Sequence, residues 1–286
     1  MITRRKFIKI LAYSAGGLTL ASGGAVALLA NSRYYAPRRI VVENVTIPIK
    51  GLPAEFDGFK ICQITDIHHG YQVEMEFVDK ALDIAMRLNP DIYALTGDYA
   101  SYKTEFADAV IGRLAMLKGV YNTVAVLGNH DHWVGWHRHV HKVIRKSGIG
   151  LLNNTHIMLE KGGAKLCIAG VDDLRVGRPD LEKALFGVPE DVPRVLLSHN
   201  PDLADEKLGD NRVDLMLSGH THGGQIRLPF SLYAPYTNSR YGQKYTGGIV
   251  KMGETQVYVS RGLGTITIPV RFNCPPEITL LRLVRA

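Results

Sequence analysis

The chain has 286 residues, 46% hydrophobic and 21% charged, enough for a full core and unlike a disordered, collagenous or coiled-coil protein. Its three cysteines are far apart with no C-x-x-C pair, which excludes a disulfide scaffold and a cysteine-based zinc finger. The first 30 residues carry +4 of a formal net charge of +7, and the remaining +3, without a long basic run, argues against nucleic-acid binding but allows a small anionic substrate.

Residues 1–30 form the first unit. Thr3 to Lys9 reads T-R-R-K-F-I-K, which resembles a twin-arginine export signal, with Arg4 and Arg5 paired and Phe7 and Lys9 following. Residues 10–30 carry no charge and are long enough to span the hydrocarbon core as a helix. The basic flank places the N-terminus in the cytoplasm and the rest outside. Ala25-Val26-Ala27 offers a cleavage site, so the segment is either removed or kept as a membrane anchor. Residues 31–286 are expected to form a single domain.

Within that domain, β-branched apolar runs predict strands at 40–49, 60–65, 92–96, 123–127, 165–169, 195–198, 215–218, 248–251, 256–260 and 277–283. Helical patterns fall at 73–88, 104–117, 136–146 and 179–185. Strands alternating with helices predict parallel βαβ units, and the later strands a second or mixed sheet.

Five of these strands end in polar clusters. They run into Asp66-Ile67-His68, Gly97-Asp98, Gly128-Asn129-His130-Asp131, His199 and Gly219-His220-Thr221-His222. In open α/β sheets the C-terminal strand edges line the ligand crevice, so these clusters are expected on one rim. The candidate ligands are Asp66, His68, Asp98, Asn129, His199, His220 and His222. All are oxygen or imidazole donors, a set suited to Mn²⁺, Fe or Zn²⁺ rather than Cu(I) or an iron–sulfur cluster. Seven donors are too many for one four-coordinate ion. They fit two ions if one carboxylate bridges, and Asp98 is the natural bridge.

These blocks, D-I-H, G-D, G-N-H-D, His199 and G-H-T-H in that order, resemble those of the calcineurin-like metallophosphoesterases. The tail, with S-R-G-L-G at 260–264 and C-P-P-E-I at 274–278, is similar to a branch of bacterial cell-envelope phosphodiesterases. Those enzymes often carry a twin-arginine or transmembrane N-terminus. They are related to UDP-2,3-diacylglucosamine pyrophosphohydrolases. The resemblance implies an α/β fold: a four-layer α-β-β-α sandwich of two mixed sheets flanked by helices. It implies one metal on Asp66, His68, Asp98 and His222, and another on Asp98, Asn129, His199 and His220. The ions would be divalent, Mn²⁺ foremost, with Fe, Zn²⁺ or a mixed pair as alternatives.

The activity so implied is hydrolysis of a phosphodiester or pyrophosphate bond by in-line attack of a hydroxide shared between the metals. His130 would touch the phosphate and the leaving oxygen, and Asp131 would orient it. The implied partners are a small phosphoester or lipid-linked phosphate, the membrane through the N-terminal segment, and the twin-arginine machinery. The catalytic domain is then expected on the outer side of the cytoplasmic membrane. Two alternatives are a UDP-2,3-diacylglucosamine pyrophosphatase of lipid A synthesis and a membrane-tethered phosphate-binding protein without turnover. An intact His130–Asp131 pair favours the enzyme.

Other side chains invite weaker readings. His69 sits beside the first cluster, and His137 and His141 are spaced i, i+4 on a helix. Arg261 and Arg271 could reach a phosphate from late loops. Cys62 and Cys167 read as buried small hydrophobes, and Cys274 as a loop residue open to solvent. Trp133, Trp136, Tyr233, Tyr236, Tyr241 and Tyr245 could form an apolar mouth for an acyl chain. The loops at 223–245 and 261–274 are expected to select the substrate.

Overall fold

The computed structural model describes residues 24, 26–133 and 136–286, apart from the side chains of Trp136 and His137. The twin-arginine motif and most of the apolar run lie outside the described residues. Among the described residues no helix is long and apolar enough to cross a membrane.

In chain order the elements are β1 (Val41–Ile49), β2 (Lys60–Ile64), α1 (Met75–Arg87), β3 (Ile92–Leu95), α2 (Thr104–Leu114), β4 (Thr123–Ala125), α3 (Trp136–Ser147), β5 (Gly150–Leu151), β6 (Thr155–Lys161) and β7 (Ala164–Gly170). Then come α4 (Leu181–Leu185), β8 (Arg194–Leu197), α5 (Leu203–Glu206), β9 (Leu215–Ser218), β10 (Gly248–Met252), β11 (Thr255–Val259) and β12 (Glu277–Arg285). The sheets run β1-β12-β2-β3-β4-β5 and β10-β11-β9-β8-β7-β6. Both are mixed. In the first, only the β12–β2 pair is antiparallel. In the second, β10–β11 and β6–β7 are antiparallel around a parallel centre.

Period-two alternation makes the layers. Ile61, Ile92 and Ala94 face the second sheet, where Ile168, Val195 and Leu215 meet them. Cys62, Tyr93 and Leu95 face the other way, onto Val78, Ala81, Leu82 and Ala85 of α1 and the matching stripe of α2. Those helix positions are spaced i, i+3, i+4, i+7, which puts them on one face. Leu196 and Met216 turn from the second sheet to α4 and α5. The result is the expected α-β-β-α sandwich.

Three elements escape the sequence patterns: the two-residue β5, β6 and the one-turn α5. For β6 a signal existed. Gly162-Gly163, at φ 58° and 86°, closes a hairpin with β7, and a Gly-Gly pair between two runs is a hairpin signature.

Candidate metal centre

Strands β2, β3 and β4 are mutually parallel, as are β8 and β9, so their C-terminal ends open on one rim. Asp66, His68, Asp98, His199, His220 and His222 all stand there, each 2% exposed or less. Five of them have left-handed backbones: Asp66 at φ 52°, His68 at 51°, Asp98 at 57°, His220 at 69° and His222 at 52°. Non-glycine residues pay about 1–3 kcal/mol each for such conformations, and strain of this kind gathers at functional sites. Gly128 and Gly219 make the close packing possible. A Cβ on either would collide with the carboxylate of Asp98 or Asp66 respectively.

The donor atoms form two pockets joined by Asp98. In the first, His222 Nε2 lies 3.2 Å from Asp66 Oδ1 and 3.1 Å from His68 Nε2. In the second, His220 Nδ1 lies 3.1 Å from His199 Nε2. Asp98 Oδ2 stands between, 3.4 Å from His68 Nε2 and 3.3 Å from His199 Nε2. Asp66, His68 and His222 form one group of potential ligand atoms within 4.8 Å of one another, and Asp98, His199 and His220 another. His130 belongs to a third such group with His68 and Asp98.

The surroundings point these atoms inward. His199 Nδ1 donates to the Thr96 carbonyl at 2.8 Å, which leaves Nε2 as the lone pair facing Asp98 in the neutral ring. His68 Nδ1 meets Ser101 Oγ at 3.0 Å. Asp66 accepts from Thr65 Oγ1 at 2.8 Å and from the His220 N–H at 3.0 Å. Burial pushes His68 and His220 well below the usual imidazole range, so both are neutral donors. Burial opposes ionisation of Asp98, yet the charge of His199 beside it holds its carboxyl well below the usual range. Burial likewise opposes charge on His199, but Asp98 lifts it to about 10.

A divalent cation fits this arrangement. Two Nε2 atoms 3.1 Å apart, on His68 and His222, can share only one proton, whereas a cation satisfies both lone pairs. Asn129 Oδ1, His130 Nδ1, His220 Nε2 and His222 Nδ1 are buried without a hydrogen-bond partner. A buried polar atom left unpaired costs about 1–3 kcal/mol, so the Asn129 and His130 atoms leave room for a ligand, whereas those of His220 and His222 are the ring nitrogens opposite the ones in the pockets.

Residues 59–224, which hold all five strand-end clusters, match the calcineurin-like phosphoesterase family. The chain belongs to that family. An uncharacterized metallophosphoesterase of Bacillus subtilis, YkuE, is 37% identical over 99% of this chain and 98% of its own length. The Escherichia coli phosphodiesterase YaeI is 32% identical over 79% of this chain and 82% of its own. A zebrafish (Danio rerio) transmembrane protein with a metallophosphoesterase domain is 31% identical over 86% of this chain and 57% of its own length. As a calcineurin-like phosphoesterase the chain is a phosphoester hydrolase, in a family that uses divalent metals.

The structure gathers Asp66, His68, Asp98, His199, His220 and His222 at the rim, and buries Asn129 Oδ1 without a partner, but it rearranges their supports. Asp131 does not turn to the His130 ring. Its carboxylate accepts backbone N–H bonds from Asp98 at 2.8 Å, Gly128 at 2.9 Å and Tyr99 at 3.1 Å. It therefore fixes the chain that carries Asp98. Burial and the Asp98 charge push Asp131 up to about 7, against the pull of those three bonds. His130 is positioned instead by its ring contacts, 4.0 Å to Trp133 and 4.5 Å edge-on to His68 between centroids.

The late arginines face away from chemistry. Arg261 is paired with Glu277 at 2.6 Å and with Glu43. Arg271 is wholly buried and donates to the carbonyls of Arg261, Gly262, Gly264 and Cys274. Cys274 is 1% exposed, packed under His222, rather than open to solvent. His69 anchors its own loop through the Val73 carbonyl. His141 meets Asn153, and His139 pairs with Asp108, so α3 makes fold contacts. Tyr245 is a core residue whose hydroxyl donates to Asp205. Sequence reasoning passed over Asp172, whose carboxylate pairs with His132 at 2.8 Å beside the rim.

Proposed function

We propose that this chain hydrolyses a phosphodiester or pyrophosphate bond at a dinuclear centre, with Mn²⁺ as the favoured ion. One cation would be held by Asp66, His68, Asp98 and His222, the other by Asp98, Asn129, His199 and His220. The observation that carries this reading is the position of Asp98 Oδ2, nearly equidistant from an imidazole of each pocket. The relative named a phosphodiesterase supports a diester substrate.

Bound cations there would draw charge from the phosphoryl oxygens and bring the pKa of water down towards ~7, making hydroxide available. The chain's own residues supply the rest. Glycines and left-handed turns hold the donors in place before substrate arrives. Burial lowers the pKa of His130, which keeps its ring neutral. Its unpartnered Nδ1 is the atom that can exchange a proton with the leaving oxygen or donate to it. Trp133 packs against that ring with centroids 4.0 Å apart. The protein would work at the cell envelope, exported through the twin-arginine route or anchored by residues 1–30.

Elemental analysis of purified protein, with turnover of bis(p-nitrophenyl) phosphate under added Mn²⁺, tests the centre. His130→Ala is expected to keep its metal and lose roughly 10²–10⁴ in kcat. Full activity in that variant sinks the assigned role, and fewer than two equivalents of metal at full activity sinks the dinuclear centre. Fractionation of cells into membrane, soluble and exported pools tests the location.

A further inference from the structure

A groove of about 460 Å³ opens directly beside the rim. Its inner end is Thr221 and His222, and its walls are apolar: Ile226, Pro235 and Tyr236 on one side, Ile266 and Ile268 on the other. The size is that of a small-molecule pocket, roughly 300–1,000 Å³. We propose that this groove holds a hydrocarbon chain of the substrate, so that the enzyme acts on amphiphilic, lipid-type phosphoesters. The inference rests on the rim as the phosphorus-binding site.

Three observations choose the occupant. First, His222 belongs both to the groove and to the Asp66–His68 pocket. The groove therefore lies one side chain away from the proposed phosphorus site, within reach of a substituent on a phosphoryl group held there. Second, the walls continue outward into side chains that the fold leaves in water. Tyr236 and Ile268 are exposed, as are Leu232 and Phe230 on the same 226–236 loop, Phe230 completely at 107%. Exposed apolar surface of this extent marks an interaction with something apolar. Third, a cation stands at the mouth. Arg175 donates to Asn238, which lines the groove. An anionic head with an apolar tail matches that pairing of charge and hydrocarbon.

The test is a series of p-nitrophenyl alkyl phosphates with ethyl, butyl and octyl chains, below their micelle concentrations, on the Mn²⁺-loaded full chain. Parallel calorimetric titrations use ethyl, butyl and octyl phosphate with loaded and with metal-stripped protein. Burial of each methylene is expected to raise kcat/KM and affinity about two- to fourfold. Ile268→Asp, on a half-exposed side chain, is expected to cut the octyl-to-ethyl ratio at least about tenfold, and Tyr236→Ser to cut it less. A flat series in both turnover and binding overturns the proposal, as does an unchanged ratio in both variants. Absence of hydrolysis across the whole series would strike the phosphoesterase reading instead, and the titrations would still decide the groove.

Discussion

At the rim, six ionisable side chains are sunk to 2% exposure or less, while on the neighbouring 226–236 loop Phe230, Leu232 and Tyr236 stand in water. Each region inverts the usual distribution of polar and apolar residues. The rim tolerates its inversion because five strand ends hold the donors, with backbone strain and glycine packing fixing where each one points. The groove tolerates its own because loops carry it, and the sandwich has no need of those side chains. On the proposed reading the contrast separates two tasks: reaction on phosphorus at the sheet edges, and selection of what hangs from phosphorus in segments that the sheets merely support.

Asp98 is the place to break that division hardest. Its two oxygens serve both pockets and the His130 N–H, which bonds Oδ1 at 2.8 Å. Asp98→Asn keeps one carbonyl oxygen and loses the charge. Metal content is expected to fall from about two cations per chain to below about one, and turnover of bis(p-nitrophenyl) phosphate on the order of 10³-fold. The octyl-to-ethyl affinity ratio should change little, because the groove is untouched. A parallel collapse of groove binding would show that the two regions are one.

Arg271 probes the opposite side. Its guanidinium ties together four carbonyls of the 261–274 segment, which includes the groove wall, and burial lowers its pKa. Arg271→Met leaves those carbonyls unpaired, and loss of one partner of a buried charged network costs about 3–5 kcal/mol. Urea unfolding with the metal bound measures it. An effect below about 1 kcal/mol would mean that water replaces the side chain and that the wall is not built on it.

Asp131 tests how the rim is supported. Asn in its place must turn an N–H donor towards backbone N–H groups that now meet a carboxylate. Outer supports of this kind are worth about 10–100-fold in metal affinity. Asp131→Asn is therefore expected to raise the Mn²⁺ concentration for half-maximal activity by that factor, with kcat at saturating metal changed less. An equal fall in kcat at saturating metal would place Asp131 in the chemistry, the role first read for it.

The donors were legible because each follows a short apolar strand, and the sheet then delivers it to the rim whatever the exact strand boundary. The parallel βαβ units were legible from strands alternating with helices, but the four layers followed only from the family resemblance, since β2, β3, β8 and β9 are buried on both faces and show no polar alternation. What stayed hidden depends on contacts distant in sequence. Nothing local to Asp131 says that its carboxylate will meet the Asp98 and Tyr99 amides 32 or 33 residues away. Arg271 and Cys274 lie in a Pro-containing loop that reads as surface, yet the loop folds under His222 and buries both. The groove was only half visible. Tyr236 lines it and Tyr245 goes into the core; the far wall comes from the 261–274 loop, but nothing in the sequence singled out its isoleucines within that loop.

The smallest expected effect lies where the two sheets meet beside the rim. His132, after β4, pairs with Asp172, after β7, at 2.8 Å. Burial opposes charge on His132, but the Asp172 hydrogen bond and charge raise its pKa above the usual value. Burial also opposes ionisation of Asp172, and the His132 hydrogen bond holds its carboxyl below the usual range. A histidine raised in the folded state stabilises fully below its unfolded pKa of about 6.5, and that contribution fades as pH climbs through the folded value. The lowered Asp172 contributes above about 3.9 and loses that contribution as pH drops through its own folded value. The pair is therefore strongest between about pH 4 and 6.5. His132→Gln is expected to cost ~1.5–3 kcal/mol at the acid end of that window and less at alkaline pH. The check is the gap in Tm between wild type and variant, measured with Mn²⁺ saturating on both sides of neutrality. A gap that stays constant across that range would mean a pair held by a hydrogen bond without charge, and no gap at all would mean that the two sheets are joined at this corner by packing alone.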